Sequence, residues 1–318
     1  MTAELRWEGV LAELEEAGWQ ARVVSASRAG DLEAAVNQAV DDAAVPAAFK
    51  ESVSRYLRVS FPEDMPQPRS MLIGAAARPY TQASLLWKGK RRAIGIPPHY
   101  RGYELATPEF TAAAEAPLRA WGFSAAPFSP PLKTLATHSG LARYGRNNLA
   151  YVPGLGSFLT LAACVSDAPP PAQDFWQQPA VLDRCSSCRT CSRVCPTGAV
   201  PGERFLIRAE RCLTFFNEDD APFPDWIRPE WHAYAVGCLR CQDVCPENRA
   251  TPMVIEPAVE FDAGESQAII AGVDPASFTA ETRKKLAACG LDYSSSFVPR
   301  NIRQLLWAQA GARPPVPS

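Results

Sequence analysis

No stretch of this 318-residue sequence is apolar enough for a membrane span. The longest apolar run, Phe158–Val165, falls far short of the roughly 20 residues a helical span needs. Neither charge dominates: 32 Lys and Arg stand against 34 Asp and Glu, a net charge of −2. Without a field of one polarity, strong non-specific binding to nucleic acid or to an anionic membrane is not expected. The first residues, Met-Thr-Ala-Glu-Leu-Arg-Trp-Glu, have no basic segment leading into an apolar one, so no secretory leader is expected. The expectation is a soluble, cytoplasmic protein with no membrane partner. In a reducing cytosol, clustered cysteines bind metal rather than form disulfides.

Apolar residues make up 47% of the chain and charged residues 21%, enough to bury a sizeable core and too ordinary for a disordered chain. The length suggests about two domains. Residues 4–17 carry an amphipathic helical pattern (Leu5, Val10, Leu11, Leu14, Ala17) that stops at Gly18. A strand is predicted over 20–26, and a helix capped by Asp31 runs toward Val45. Strands are predicted at Met71–Ala77 and Arg91–Ile96, and a helix opens at Thr107-Pro108-Glu109 and runs to about Trp121. Asn148–Val152 and Phe158–Val165 read as strands joined through Pro153-Gly154-Leu155-Gly156 as a hairpin. The Pro-rich stretch Asp167–Pro179 reads as a linker. A helix is expected over Arg300–Ala310, and a frayed tail over 313–318.

Proline is abundant at 30 residues, but cysteine is the informative type: of ten, eight fall between Cys185 and Cys245. The first run is Cys185-x2-Cys188-x2-Cys191-x3-Cys195-Pro196, the spacing of bacterial ferredoxins. Three thiolates at this spacing wrap one corner of an iron–sulfur cubane, and the fourth, followed by Pro, ligates the other cluster. The second run, Cys238-x2-Cys241-x3-Cys245-Pro246, has Ala235 where its first cysteine would stand, and Cys212 can replace it from a separate segment. Crossed ligation then predicts one cluster on Cys185, Cys188, Cys191 and Cys245, and a second on Cys195, Cys212, Cys238 and Cys241. The alternative is two zinc ions, each held by four thiolates, although zinc needs neither the Cys-Pro pairs nor the interlocked fourth ligand. Cys164 and Cys289 are left over and read as buried structural residues.

Two clusters move electrons but do no chemistry on a substrate by themselves, and a ferredoxin needs only a small domain. The long N-terminal part therefore implies an additional binding domain. The expected division is an α/β cofactor and substrate domain over 1–168, a double-cluster domain over 180–255, and an irregular, helical segment over 256–318. Within the first, Ser139–Leu149 combines Gly140 and Gly145 with Arg143, Tyr144, Arg146 and Asn147 just before a strand. Such a loop can offer backbone amides and a cation to an anionic or amide-rich ligand; it can equally be a surface turn with solvated arginines.

In their order, GLARYGRNNL (140–149), GSFLTLAACVSD (156–167), CSSCRTCSRVCPTGAV (185–200), RCLTFFNE (211–218), GCLRCQDVCPEN (237–248) and RNIRQLL (300–306) resemble the epoxyqueuosine reductase family, which is related to reductive dehalogenases. The resemblance covers roughly residues 115–310. It implies an α+β architecture: a nitroreductase-like α/β corrinoid domain, a ferredoxin-like double [4Fe-4S] domain and a short helical C-terminus. It implies an oxidoreductase that takes electrons from a low-potential donor such as ferredoxin or flavodoxin and passes them through two [4Fe-4S] clusters to cobalamin. Arg146, Asn147, Ser157 and Phe158 then become candidate cofactor contacts. The family's acidic proton donor precedes the glycine loop, but the corresponding stretch here, Ala125–Thr134, holds no Asp or Glu. Either another residue supplies the proton or the reaction differs. Tyr144 is the candidate catalytic residue, because related dehalogenases use a Tyr, and His138 is a second titratable group nearby. Many members carry C-terminal helical repeats that help hold tRNA, and the expectation is that this chain, which stops near Ala310, lacks them. That absence and the neutral charge weigh against a tRNA substrate and leave the substrate open. An electron carrier without corrinoid and a true epoxyqueuosine reductase with a replaced proton donor are the two alternatives.

Overall fold

The computed structural model describes residues 5–43, 45–53, 58–100, 103–202, 205–251, 253–292 and 297–311. In chain order the elements are α1 (Trp7–Glu16), β1 (Gln20–Ser25), α2 (Ala29–Asp42), α3 (Ala47–Val53), β2 (Ser70–Ala77), β3 (Thr81–Trp87) and β4 (Lys90–Ile96). There follow α4 (Ala106–Arg119), β5 (Ala125–Phe128), α5 (Leu132–His138), β6 (Arg143–Tyr144), β7 (Ala150–Tyr151) and β8 (Leu159–Ser166). The cysteine-rich part holds α6 (Thr190–Val194), α7 (Leu213–Asn217), α8 (Arg240–Asp243) and α9 (Pro246–Arg249). The chain closes with β9 (Val259–Glu260), α10 (Ala263–Ala271), α11 (Ala280–Cys289) and α12 (Phe297–Gln309). The tail read as frayed lies outside the described residues. Among the described residues no helix is long and apolar enough to cross a membrane.

The contacts group into two units, one comprising residues 1–77, 104–189 and 202–207, the other 78–103, 190–201 and 208–318. The boundaries differ from the division at residue 168, because β3 and β4 join the cysteine-rich part while Cys185 and Cys188 stay with the first unit.

The first unit is built on an antiparallel sheet in the order β1-β2-β8-β5, with Met71 opposite Val165 and Leu72 opposite Cys164. Its two faces carry different cores. Met71, Ile73, Ala163 and Val165 pack with Leu32 of α2 and Leu135 of α5. Leu72, Ala162 and Cys164 pack with Val10 and Leu14 of α1 and Phe110 and Leu118 of α4. Helices on both faces explain why β2 reads as an unbroken apolar run rather than an alternation. Gly74 lies where β2 meets Phe110; a Cβ there would come within 2.3 Å of the ring. Asp31 is not the cap of α2: Arg28 occupies that position, and Asp31 sits in the first turn, paired with Arg28 at 3.0 Å.

Two further expectations give way. The segment before Pro153 does not pair with β8: β7 pairs with β6, while β8 lies between β2 and β5. Six of the eight residues of β8 are apolar, and the strand is paired along its whole length by β2 and over four residues by β5, which a two-residue β7 cannot provide. Asp167–Pro179 is not a free linker but packs onto the first unit. Ala168 is fully buried, Trp7 Nε1 donates to Pro169 O at 2.9 Å, and Asp174 accepts from the Ser25 N–H and from Arg28.

In the second unit β3 and β4 form a hairpin, with Trp87 opposite Lys90. Its two-residue turn, Lys88-Gly89, has φ of 49° and 73°, matching the right-handed twist of the strands. Ala83, Leu85, Ile94 and Ile96 pack with Ile269 of α10, Leu286 of α11 and Ile302, Leu305 and Leu306 of α12. The pattern RNIRQLL thus becomes a buried helical stripe. Cys164 and Cys289 are both fully buried, as expected.

Candidate metal centre

All ten cysteines are unbridged thiols. Cys195, Cys212, Cys238 and Cys241 lie in the second unit, where three segments deliver them. Cys195 follows α6, and its Sγ accepts the Ala199 N–H at 3.3 Å. Cys212 stands at the N-terminus of α7, where the backbone N–H groups of Thr214 and Phe215 and the Thr214 hydroxyl point at its sulfur. Burial raises the Cys212 thiol, and the neighbouring Cys195 raises it further. Cys238 is pushed up to about 12, first by burial, and also by Cys212 and Cys195. Those mutual influences bring the thiols of Cys195, Cys212 and Cys238 into one neighbourhood, although they come from both runs and the solitary cysteine between them. Cys241 lies on α8, which packs against α6, the helix that carries Cys191. Cys245 caps α9, whose first residue is Pro246. Among the described residues no three His, Cys, Asp or Glu side chains are gathered tightly enough for a single metal ion.

The Cys212 and Cys238 segments are held by buried amides. Asn217, at the end of α7, donates from Nδ2 to Gly237 O at 2.7 Å. Asn301 of α12 donates from Nδ2 to Asn217 O at 2.7 Å and to Ala235 O at 3.0 Å. Both side chains are fully buried. Sequence reading placed these residues in a similarity motif but had no reason to assign them this role, since a buried Asn looks like a surface Asn in a one-dimensional pattern.

In the first unit, Cys185 lies in a short 3-10 turn (Asp183–Ser186), and Cys188 follows it. Arg146 reaches both. Its Nε donates to Cys188 O at 3.1 Å, its Nη2 to Cys185 O, and its Nη1 to Gly202 O at 3.1 Å. Its backbone N–H points at Cys185 Sγ, 3.4 Å away. Arg143 forms a bidentate pair with Asp183 at 2.6 and 3.0 Å and holds that carboxyl below its ordinary range.

The remaining loop residues are largely interior. Tyr144 is buried and its hydroxyl lies 3.2 Å from Thr134 Oγ1; burial raises it above the ordinary phenol range. Phe205 meets its ring edge-on at 4.9 Å. Asn147 is buried, with Nδ2 on Tyr151 OH at 3.0 Å and Oδ1 without a hydrogen-bond partner. Ser157 is half-buried and Phe158 buried, just before β8. His138 places Nδ1 2.8 Å from Gln177 O, stacks on Trp176 at 4.6 Å, and leaves Nε2 buried without a partner. Burial lowers its basicity. The stretch 125–134 forms β5 and the start of α5 and supplies no carboxylate, as the sequence indicates.

Residues 184–248 match the family model of the 4Fe-4S double cluster binding domain. The epoxyqueuosine reductase of Bacillus subtilis is 30% identical over 132 residues, 41% of this chain and 32% of that protein. The epoxyqueuosine reductase of Escherichia coli is 33% identical over 125 residues, 39% of this chain and 31% of that protein. The chain therefore matches about a third of the length of these curated relatives. In fold, a crystal structure of epoxyqueuosine reductase superposes with a TM-score of 0.64 at 20% identity, covering 95% of this chain and 81% of that one. The enzyme from Streptococcus thermophilus gives 0.63 at 16% identity with the same coverage. This chain is thus similar to epoxyqueuosine reductases in fold and in part of its sequence, and its residues 184–248 match the 4Fe-4S double cluster binding domain.

Proposed function

We propose that this protein is an iron–sulfur oxidoreductase that takes electrons from a low-potential carrier such as ferredoxin or flavodoxin and delivers them through two [4Fe-4S] clusters, with cobalamin as the final carrier, to a substrate. The observation that supports the reading is that the Cys195 thiol acts on that of Cys212 and both act on that of Cys238, as crossed ligation of two interlocked cubanes expects. The residue types fit: eight clustered cysteines are the number that two four-ligand sites need, and backbone N–H groups are directed at the sulfurs of Cys185, Cys195 and Cys212. Such N–H donors stabilise the added charge of a reduced cluster.

For the corrinoid, the buried, unpartnered Oδ1 of Asn147 fits an amide-bearing ring, and Asn147, Ser157 and Phe158 are the residues that would hold it. Bound there, cobalamin supplies a low-valent cobalt able to reduce a carbon–oxygen or similar bond. Arg146 is committed elsewhere. Proton delivery falls to a residue outside 125–134. Tyr144, kept protonated by burial and oriented by Thr134, is the proposed donor. Anaerobic reconstitution with cobalamin tests the reading. Stoichiometric binding with a base-off cobalt(II) paramagnetic signal supports it. Two clusters with no bound corrinoid would make the protein an electron carrier instead.

A second reading, reduction of epoxyqueuosine in tRNA, is favoured by the 30–33% identity to epoxyqueuosine reductases. The same fold is also seen in an epoxyqueuosine reductase with an epoxyqueuosine-modified tRNA stem loop. Restoration of queuosine in the tRNA of a deficient host supports it, and a host left without queuosine despite soluble, cluster-loaded protein rejects it.

A further inference from the structure

We propose that Arg146 is a positioning residue for the cluster bound by Cys185 and Cys188, setting its reduction potential, rather than a contact for a corrinoid or a substrate. The proposal rests on the two-cluster reading above. Three carbonyl groups receive the Arg146 guanidinium: Cys185, Cys188 and Gly202. Two of them belong to the ligand residues themselves. The backbone N–H of the same residue addresses Cys185 Sγ at 3.4 Å. One residue thus provides both a direct donor to a ligand sulfur and a fixed positive charge across the Cys185–Cys188 turn.

Arg189 also serves this turn, donating from Nη1 to Cys185 O at 3.2 Å and to Ser186 O and Cys188 O at 3.1 Å. It lies one residue beyond Cys188 and follows the turn wherever the turn goes. Arg146 comes from a loop 39 residues upstream of Cys185 and therefore fixes the turn against the rest of its unit. A guanidinium has five donors in a rigid fork and no acceptor, which matches converging carbonyls. Its charge at close range stabilises the cluster more in the reduced than in the oxidised form, because reduction adds a negative charge. Loss of the guanidinium lowers the potential of this cluster. The thiols of the other set take their donors from Ala199, Thr214 and Phe215 and do not depend on Arg146.

The test reconstitutes the full chain, Arg146→Met and Arg146→Lys with iron and sulfide under anaerobic conditions. Iron per chain is counted, and each is titrated against potential with paramagnetic resonance detection. In Arg146→Met, one cluster shifts to a lower potential and the other keeps its wild-type value; Arg146→Lys, which retains charge without the fork, falls between. Selective loss of one cluster in Arg146→Met, restored by Arg146→Lys, also supports the assignment. Two wild-type potentials in both variants at full iron content overturn it and leave the two-cluster reading standing. If Arg146→Met fails to fold, an unshifted Arg146→Lys overturns it. A wild-type chain that assembles no cubane overturns the two-cluster reading and this inference together.

Discussion

Replacing Asn301 with Ala removes a donor that ties two separate cysteine segments together. Its Nδ2 serves the carbonyls of Asn217, which ends the helix begun by Cys212, and of Ala235, three residues before Cys238. The site is fully buried, so water cannot replace the lost donor. Each buried carbonyl left without a partner costs about 1–3 kcal/mol, so the variant loses about 2–6 kcal/mol. That is a large share of the about 5–15 kcal/mol that stabilises an ordinary domain. Urea unfolding followed by circular dichroism measures the loss, and a chelator added to the loaded protein measures iron release. The expected result is a lower unfolding midpoint at unchanged slope, with one of the two clusters released faster. A variant within about 0.5 kcal/mol of wild type, the scatter of ordinary surface changes, with unaltered iron release would refute the reasoning.

Gly74→Ala places a methyl group 2.3 Å from the Phe110 ring in the centre of the sheet; overpacking of about 1–3 kcal/mol should appear as a lower melting temperature. His232 is buried, and burial first, then the charges of Arg300 and Arg240, lowers it from 6.5 to about 4. The unfolded chain binds the proton more readily, so this stabilisation is complete above pH 6.5 and is lost as pH falls toward about 4. Unfolding free energies measured across that window should fall with acidity, and less so in His232→Gln. Tyr144→Phe retains the ring against Phe205 and removes the hydroxyl facing Thr134. With the proposed proton role, turnover falls at least about tenfold while iron content and corrinoid binding persist; wild-type turnover would exclude Tyr144 as donor.

The cysteine arithmetic was legible because thiolate spacing is a local property that ligand geometry imposes on the chain. The proposal that Cys212 replaces the missing cysteine before Cys238 came from counting donors, and the electrostatic influence of Cys195 on Cys212, and of both on Cys238, is consistent with it. The helices α1, α2, α4 and α12 and the strands β1, β2, β4 and β8 were legible from local sequence, β2 as an unbroken apolar run. The unread parts depend on partners distant in sequence. β3 (TQASLLW) carries polar residues that mask its pattern, and it is fixed by a two-residue turn at Lys88-Gly89 with no strong turn signature. The 167–179 segment resembles a linker in composition, yet Ala168, Pro169 and Asp174 find specific partners on the first unit. Arg146 stood out as a cation beside two glycines, but nothing in the local sequence says that its acceptors are the carbonyls of Cys185 and Cys188.

The crossed ligation is tested most directly by iron and paramagnetic resonance measurements on Cys185→Ala, Cys195→Ala and Cys212→Ala, each reconstituted anaerobically as the full chain. Wild type should hold about eight irons, and each variant about four. Cys195→Ala and Cys212→Ala should lose the same cluster signal, and Cys185→Ala the other, even though Cys185 and Cys195 belong to one run. Loss of a common signal from Cys185→Ala and Cys195→Ala, with Cys212→Ala unaffected, would contradict the account.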